Sequence, residues 1–127
     1  MTSISERARA TRPVAEMPAH ERPISEEFRL VAKAWVDANA AANLLEETKS
    51  AVLSKMMLEL GEKTVSAAEM KVKASDKWYN HVKKIVDARA DADLRKVQME
   101  YVRMKFSEWQ SSDANARRER QMGRQAT

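Results

Sequence analysis

The sequence predicts an all-α protein: an antiparallel helical hairpin with a short connecting helix and a long C-terminal helix, coiled-coil-like in its packing. Three observations predict this class. The 127 residues include only two Gly and three Pro, fewer than the turns of β or α/β domains require. Charged residues make up 33% of the chain, as in surface-rich helices. Residues 75–122 contain neither Pro nor Gly, and their apolar positions recur at helical spacing.

The first segment, residues 1–24, contains all three prolines and has no periodic apolar pattern. It therefore predicts a flexible basic arm, ordered only if something holds it. We expect a helical domain over residues 25–122, with helices at about 26–60, 67–73 and 76–120. A disordered tail is expected over residues 123–127.

The first helix is predicted from caps and from a heptad pattern. Ser25 suits the N-cap, and Glu26 and Glu27 complement the positive end of the helix dipole. Gly61 is expected to end the helix, because glycine readily adopts positive φ. Apolar residues recur at steps of three and four, interrupted only at Lys49. They are Phe28, Val31, Trp35, Ala38, Ala42, Leu45, Val52 and Met56.

The connection and the long helix each carry a start signal. Ser66 and Glu69 fit a capping box for the short helix, and Ser75 suits the N-cap of the long one. The long helix is expected to lose its intramolecular partner beyond about Lys105. Its apolar stripe is predicted to comprise Trp78, Val82, Ile85, Val86, Ala90, Leu94, Val97, Tyr101 and Met104, followed by Phe106 and Trp109.

Residue content argues against an enzyme. The chain has no Cys, and its isolated glycines form no phosphate-binding loop. His81 has no nucleophile motif nearby, so we expect a helix-surface histidine. Asp87 and Asp91 share a helical face with no His in register, and they predict solvated ion pairs such as Asp91–Arg95. We expect no cofactor and no metal. No apolar stretch is long enough to cross a membrane, which favours a cytoplasmic location.

The net charge of +4 lies at the two ends of the chain, because residues 25–113 hold equal numbers of basic and acidic side chains. The C-terminal cluster comprises Arg117, Arg118, Arg120 and Arg124, opposed only by Glu119. Such guanidinium groups suit phosphates, and the nearby Phe106 and Trp109 could stack on bases. The alternative is that the arginines complement the helix dipole while the aromatic residues pack in an oligomer. Residues 111–115 weaken helix propensity, which predicts a bend or fraying there.

Four motifs resemble those of small helical accessory proteins of tailed phages and prophages. They are Ser66-Ala-Ala-Glu69, Ser75-Asp-Lys-Trp-Tyr79, Phe106-Ser-Glu-Trp109 and Ala116-Arg117-Arg118-Glu119. The resemblance covers residues 25–122. It implies an accessory role close to DNA recombination or replication, in the host cytoplasm if the chain is phage-encoded.

These observations predict a non-enzymatic homo-oligomer that engages DNA, with single strands favoured, or a DNA-processing protein. Arg117, Arg118, Arg120 and Arg124 are the expected phosphate contacts. Tyr101, Met104, Phe106 and Trp109 are the expected partner or oligomer contacts. The alternative is a module that binds a host or phage protein without nucleic acid, as an inhibitor, an adaptor, or an assembly or structural factor of a virion.

Overall fold

The computed structural model describes residues 23–126, with side chains through Arg124, and this part of the chain is helical without a strand. The helices are α1 (Ile24–Glu47), α2 (Lys49–Leu60), α3 (Val65–Lys73) and α4 (Asp76–Ala126). The predicted all-α class is confirmed. The predicted arm falls almost wholly in residues 1–22, which lie outside the described residues. None of the helices between residues 23 and 126 has the length and apolarity needed to cross a bilayer.

The predicted first helix is divided in two at Thr48. The Thr48 hydroxyl donates to the backbone carbonyl of Leu44 at 2.7 Å, a back-bond that competes with the helical ladder. At the other end the helix already begins at Ile24, and the amide of Glu27 donates to the carbonyl of Pro23 at 2.9 Å. Ser25 therefore lies inside the helix, and its predicted N-cap role is wrong.

The connection between α2 and α3 confirms one predicted signal and corrects another. Gly61 ends α2 with φ 65°, the left-handed conformation that glycine adopts without a side-chain penalty. The cap of α3 is Thr64, whose hydroxyl accepts a hydrogen bond from the amide of Ala67 at 3.2 Å. The predicted capping box of Ser66 and Glu69 is wrong, because α3 begins before Ser66 and Glu69 pairs instead with Lys73 at 2.7 Å.

Helix α4 begins as predicted and continues further than predicted. The hydroxyl of Ser75 accepts from the amide of Trp78 at 3.2 Å, which confirms Ser75 as the cap. The helix continues to Ala126 instead of ending near residue 120, without the bend or fraying expected at residues 111–115. Asp113 pairs with Arg117 one turn later at 2.8 Å, and such i,i+4 pairs support a helix against weak local propensity.

The described chain divides into two compact units, and the first comprises Ala34–Lys96. Within it, α4 runs antiparallel to α1 and α2, since Arg89 pairs with Glu46 and the earlier Lys77 pairs with the later Glu59. Arg89 also donates to the side-chain oxygens of Asn39 at 2.8 Å and Asn43 at 2.6 Å. This unit contains the core residues Ala42, Ala68, Val72, Trp78, Ile85 and Ala92.

The inward face of α4 differs from the predicted stripe. Trp78, Ile85 and Ala92 are buried at seven-residue intervals, whereas Leu94 is 68% exposed. The inward positions are occupied by small and polar residues, namely Ala88, Arg89 and Ala92. A prediction from hydropathy alone therefore selects the exposed face of α4 as the buried one. The predicted stripe residues that are exposed instead are Val86, Ala90, Leu94, Val97, Tyr101 and Met104.

The second unit contains the described residues before Ala34 and after Lys96. Its α1 and α4 segments meet where Lys105 pairs with Glu27 at 3.4 Å, and Val102 is buried there. After Lys105 the described side chains are exposed except those of Phe106 and Asp113, which are half-buried. This pattern agrees with the expected loss of an intramolecular partner near Lys105.

Candidate nucleic-acid interface

Three of the four predicted arginines lie on one face of α4. Arg117, Arg120 and Arg124 follow one another at steps of three and four residues, which place side chains on one side of a helix. Together with Gln121 they line an open concavity with a volume of about 260 Å³. We call these four residues the arginine face. The structure thus brings together guanidinium groups that suit a row of phosphates.

Arg118 does not line this surface. It follows Arg117 by one residue and is therefore rotated about 100° around the helix axis. Glu119 is rotated by about twice that angle, which places its carboxylate on the side opposite Arg117. The single acidic residue among the arginines therefore does not neutralise the arginine face.

The guanidinium groups of the arginine face are held by short-range contacts along the helix. Arg117 pairs with Asp113 at 2.8 Å, and Nε of Arg120 donates to the carbonyl of Ala116 at 3.3 Å. Exposed ion pairs of this kind contribute little free energy, so a phosphate can replace the carboxylate at small cost. These contacts pre-orient two of the arginines without consuming their capacity to bind an anion.

Phe106 and Trp109 form a stacked aromatic pair, with ring centroids 6.1 Å apart and ring planes inclined by 21°. The indole of Trp109 is 53% exposed. Trp109 and Arg120 are separated by three helical turns and so lie on the same side of α4, about 16 Å apart along its axis. An exposed ring and a row of guanidinium groups therefore share one side of this helix.

Tyr101 and Met104 occupy a different face from this aromatic pair. Together with Val97 they form a row at steps of four and three residues, and all three side chains are exposed. Phe106 and Trp109 instead continue the side of α4 that contains the buried Val102. The four predicted partner-binding residues thus divide between two surfaces.

Sequence reasoning missed Gln121 and Asp113. Gln121 lines the arginine face, and its position four residues after Arg117 was a readable signal. Asp113 was interpreted only as a weak helix former, although the same four-residue spacing to Arg117 predicted the observed ion pair. Another pair that was predicted, Asp91–Arg95, is confirmed at 3.1 Å.

His81 is the predicted surface histidine that the structure places differently. Its ring lies 5.8 Å from that of Trp78, and its Nε2 atom is buried without a hydrogen-bond partner among the described residues. The interpretation as a helix-surface residue is therefore only partly right, because His81 is half-buried and its Nε2 atom is enclosed. The seven-residue repeat that begins at Trp78 places His81 beside the core.

Comparisons with protein-family models, with curated proteins and with solved structures found no match for this chain. The resemblance to phage accessory proteins stays a prediction from the four motifs.

Proposed function

We propose that this chain is a non-enzymatic accessory protein, of the phage type that its motifs resemble, which binds DNA through the arginine face of α4. The observation that carries the proposal is the convergence of Arg117, Arg120 and Arg124 on one exposed helical surface. Phosphate contacts supply most of the affinity of sequence-independent nucleic-acid binding.

Single strands are the favoured form. Single-strand binding combines a positive track for the backbone with exposed aromatic rings on which bases stack. Trp109 supplies such a ring on the same side of α4 as Arg120, and its stacking on Phe106 fixes the orientation of the indole. A duplex would contact the arginines but would offer no unpaired base to stack on the exposed indole of Trp109.

Assembly of several copies would raise the affinity. One arginine face offers few phosphate contacts, so a single copy is expected to bind weakly. Joining copies makes later binding events intramolecular and raises the effective concentration of the remaining faces. Oligomerisation therefore belongs to the proposed function.

The proposal is tested by size exclusion with light scattering, at low and at high salt, with and without a fluorescent single-stranded oligonucleotide. We expect co-elution of protein and oligonucleotide at low salt and its loss at high salt, because phosphate contacts release counterions. Absence of co-elution at low salt would overturn the proposal.

A second candidate function is a module that binds a host or phage protein. The observation that favours it is the exposed row of Val97, Tyr101 and Met104, since amphipathic helices dock through such spaced apolar anchors. Binding of this kind depends little on salt, which distinguishes it from phosphate binding. Replacement of Tyr101 and Met104 by Gln would abolish this activity and leave oligonucleotide binding intact.

A further inference from the structure

Trp109 marks the point at which one side of α4 becomes open. On that side, Val102 lies two helical turns before Trp109 and is buried, and Lys105 lies one turn before it and pairs with Glu27 of α1 at 3.4 Å. The exposed Arg120 lies on the same side, three turns after Trp109. The first turn of α1 therefore bounds the candidate site at one end, and the arginine face lies at the other.

Asp113 lies between the exposed ring and the arginines. It follows Trp109 by four residues and precedes Arg117 by four, which places it on the same side of the helix, about 6 Å from each along the axis. The other residues from 110 to 116 are Gln, Ser, Ala and Asn, so Asp113 is the only charged residue of this segment. An aromatic ring, a carboxylate and a row of guanidinium groups therefore follow one another along this side of α4.

The carboxylate of Asp113 is accessible to a ligand. Its side chain is 35% exposed while it pairs with Arg117 at 2.8 Å. A phosphate that takes the place of this carboxylate on Arg117 does not remove Asp113 from the surface, because the helix fixes the position of Asp113 one turn away. A bound nucleic acid consequently meets a negative charge in the middle of the site.

This charge acts differently on the two parts of a nucleotide. A phosphate held about 6 Å from a carboxylate in water binds about threefold more weakly than one without that neighbour, because the two like charges repel each other. A nucleobase carries no charge, and it gains a stacking contact with Trp109. The part of the site formed by Trp109 and Asp113 therefore accepts a base and disfavours a phosphate.

Single strands and duplexes differ in what they can place beside this charge. A single strand can turn an unpaired base towards Trp109 while its phosphates lie on the arginine face. A duplex keeps its bases paired, carries one negative charge per about 1.7 Å of its axis and is stiff over the length of the site. A duplex that contacts Arg117, Arg120 and Arg124 therefore also brings phosphates close to Asp113.

We propose that Asp113 is a specificity-determining residue of this site, which disfavours duplex DNA and so reserves the arginine face for single strands. The inference rests on the proposed function, because it concerns which form of DNA the same site accepts. Trp109 adds affinity for the single strand, whereas Asp113 weakens the binding of the competing ligand. Specificity is a difference between two affinities, and a repulsive element against the wrong ligand increases that difference.

The test compares two ligands and two charge-matched variants of the full chain. Fluorescence anisotropy at one low salt concentration gives Kd for a labelled single strand and for the same strand annealed to its complement. Asp113→Ala removes the carboxylate within the site, and Glu119→Ala removes one on another side of α4. Both replacements raise the net charge by the same amount and introduce the best helix former, and far-UV circular dichroism checks that the helices are retained.

The quantity to compare is the ratio of the duplex Kd to the single-strand Kd. Asp113→Ala is expected to lower this ratio about threefold or more through tighter duplex binding, because the phosphates lose a repelling neighbour. Glu119→Ala is expected to leave the ratio unchanged. Loss of the ion pair with Arg117 affects both ligands alike and cancels in the ratio, so a purely structural role of Asp113 would not change it.

Three results would overturn the inference. The first is a ratio in Asp113→Ala equal to that of wild type. The second is a lower ratio that arises from weaker binding of the single strand instead of tighter binding of the duplex. The third is an equal fall of the ratio in Glu119→Ala, which would show a general effect of net charge.

The role of Asp113 and the DNA proposal can be distinguished when either fails. Trp109→Ala is expected to weaken binding of the single strand about fivefold or more and to leave the duplex Kd unchanged, because one stacked base is lost. Wild type that binds neither ligand would overturn the DNA proposal and the role of Asp113 with it. Salt-dependent binding of the single strand by wild type, with an unchanged ratio in Asp113→Ala, would overturn the role of Asp113 alone.

Discussion

Arg89 donates to both carboxylate oxygens of Glu46, at 2.7 Å and 3.0 Å, although the two residues are 43 positions apart in the chain. The same guanidinium reaches the side-chain oxygens of Asn39 and Asn43. Because these three acceptors lie on successive turns of α1, a shift of one helix along the other would break the set. Arg89 therefore specifies the register of the hairpin within Ala34–Lys96.

This pair predicts a loss of stability in acid. The hydrogen bond from Arg89 lowers the pKa of Glu46 below its ordinary value of 4.5, although burial partly opposes the shift. As the pH falls, Glu46 is therefore protonated in the unfolded chain before it is protonated in the folded chain. The stabilisation by the ionised Glu46 is complete above about pH 4.5. It is lost as the pH falls towards the lowered pKa of Glu46 in the folded state.

The measurement is the thermal midpoint as a function of pH for wild type and for Glu46→Gln. Wild type should lose more stability than the variant between neutral pH and the acid range. Parallel curves for the two proteins would show that Glu46 does not carry the effect.

Ala42 and Ala92 allow the two helices to approach closely. Both are completely buried in the unit that Arg89 organises. Ala42→Leu or Ala92→Leu is expected to destabilise the fold by about 1–3 kcal/mol, because added methylenes overpack a closed interface. Urea denaturation measures the difference. The exposed Ala41→Leu and Ala90→Leu are the matched controls and should change stability little.

His81 predicts a stabilising substitution. A buried polar atom without a hydrogen bond carries a desolvation cost, so His81→Leu should raise the free energy of unfolding by about 1 kcal/mol or more. Asn80→Leu, at the exposed neighbouring position, is the control in the same denaturation assay. A destabilised His81→Leu would contradict the structure's account of this side chain.

The two candidate caps of α3 give opposite expectations. Thr64→Ala removes the hydrogen bond to the Ala67 amide and should cost about 1 kcal/mol. Ser66→Ala should be near neutral or slightly favourable, because alanine has the higher helix propensity inside a helix. If the two variants lost equal stability in thermal denaturation, Ser66 would also act as a cap and the assignment to Thr64 alone would be contradicted.

The sequence predicted the helical class, the end of α2 at Gly61 and the start of α4 directly after its cap, Ser75. The class follows from composition and apolar spacing, and the two helix boundaries depend on local chemistry: a positive φ at Gly61 and the hydroxyl of Ser75 beside a free amide. The inward face of α4 was not predictable in this way. That face is filled by Ala88, Arg89 and Ala92, whose burial depends on a partner helix, while hydropathy favoured the exposed Val86 and Leu94.

The sequence showed that four arginines cluster near the C-terminal end of α4. It showed only in part which of them share a helical face. Helical spacing separates Arg117, Arg120 and Arg124 from Arg118 as soon as the helix is known to continue to Ala126. The expected fraying at residues 111–115 obscured that continuity. The ion pair between Asp113 and Arg117 explains why the helix persists there.

The salt dependence of oligonucleotide binding tests the central claim most directly. Fluorescence anisotropy of a labelled single strand would give Kd across a salt series for wild type and for the triple replacement of Arg117, Arg120 and Arg124 by Gln. The control is a triple replacement of Lys83, Lys84 and Lys96 by Gln, which removes the same charge elsewhere on α4.

We predict that the arginine variant binds far more weakly, with a slope of log K against log salt reduced by about 2, because each lost single-strand phosphate contact removes about 0.7. The lysine control should keep a slope close to that of wild type. Equal slopes for the two triple variants would contradict the assignment of DNA binding to the arginine face.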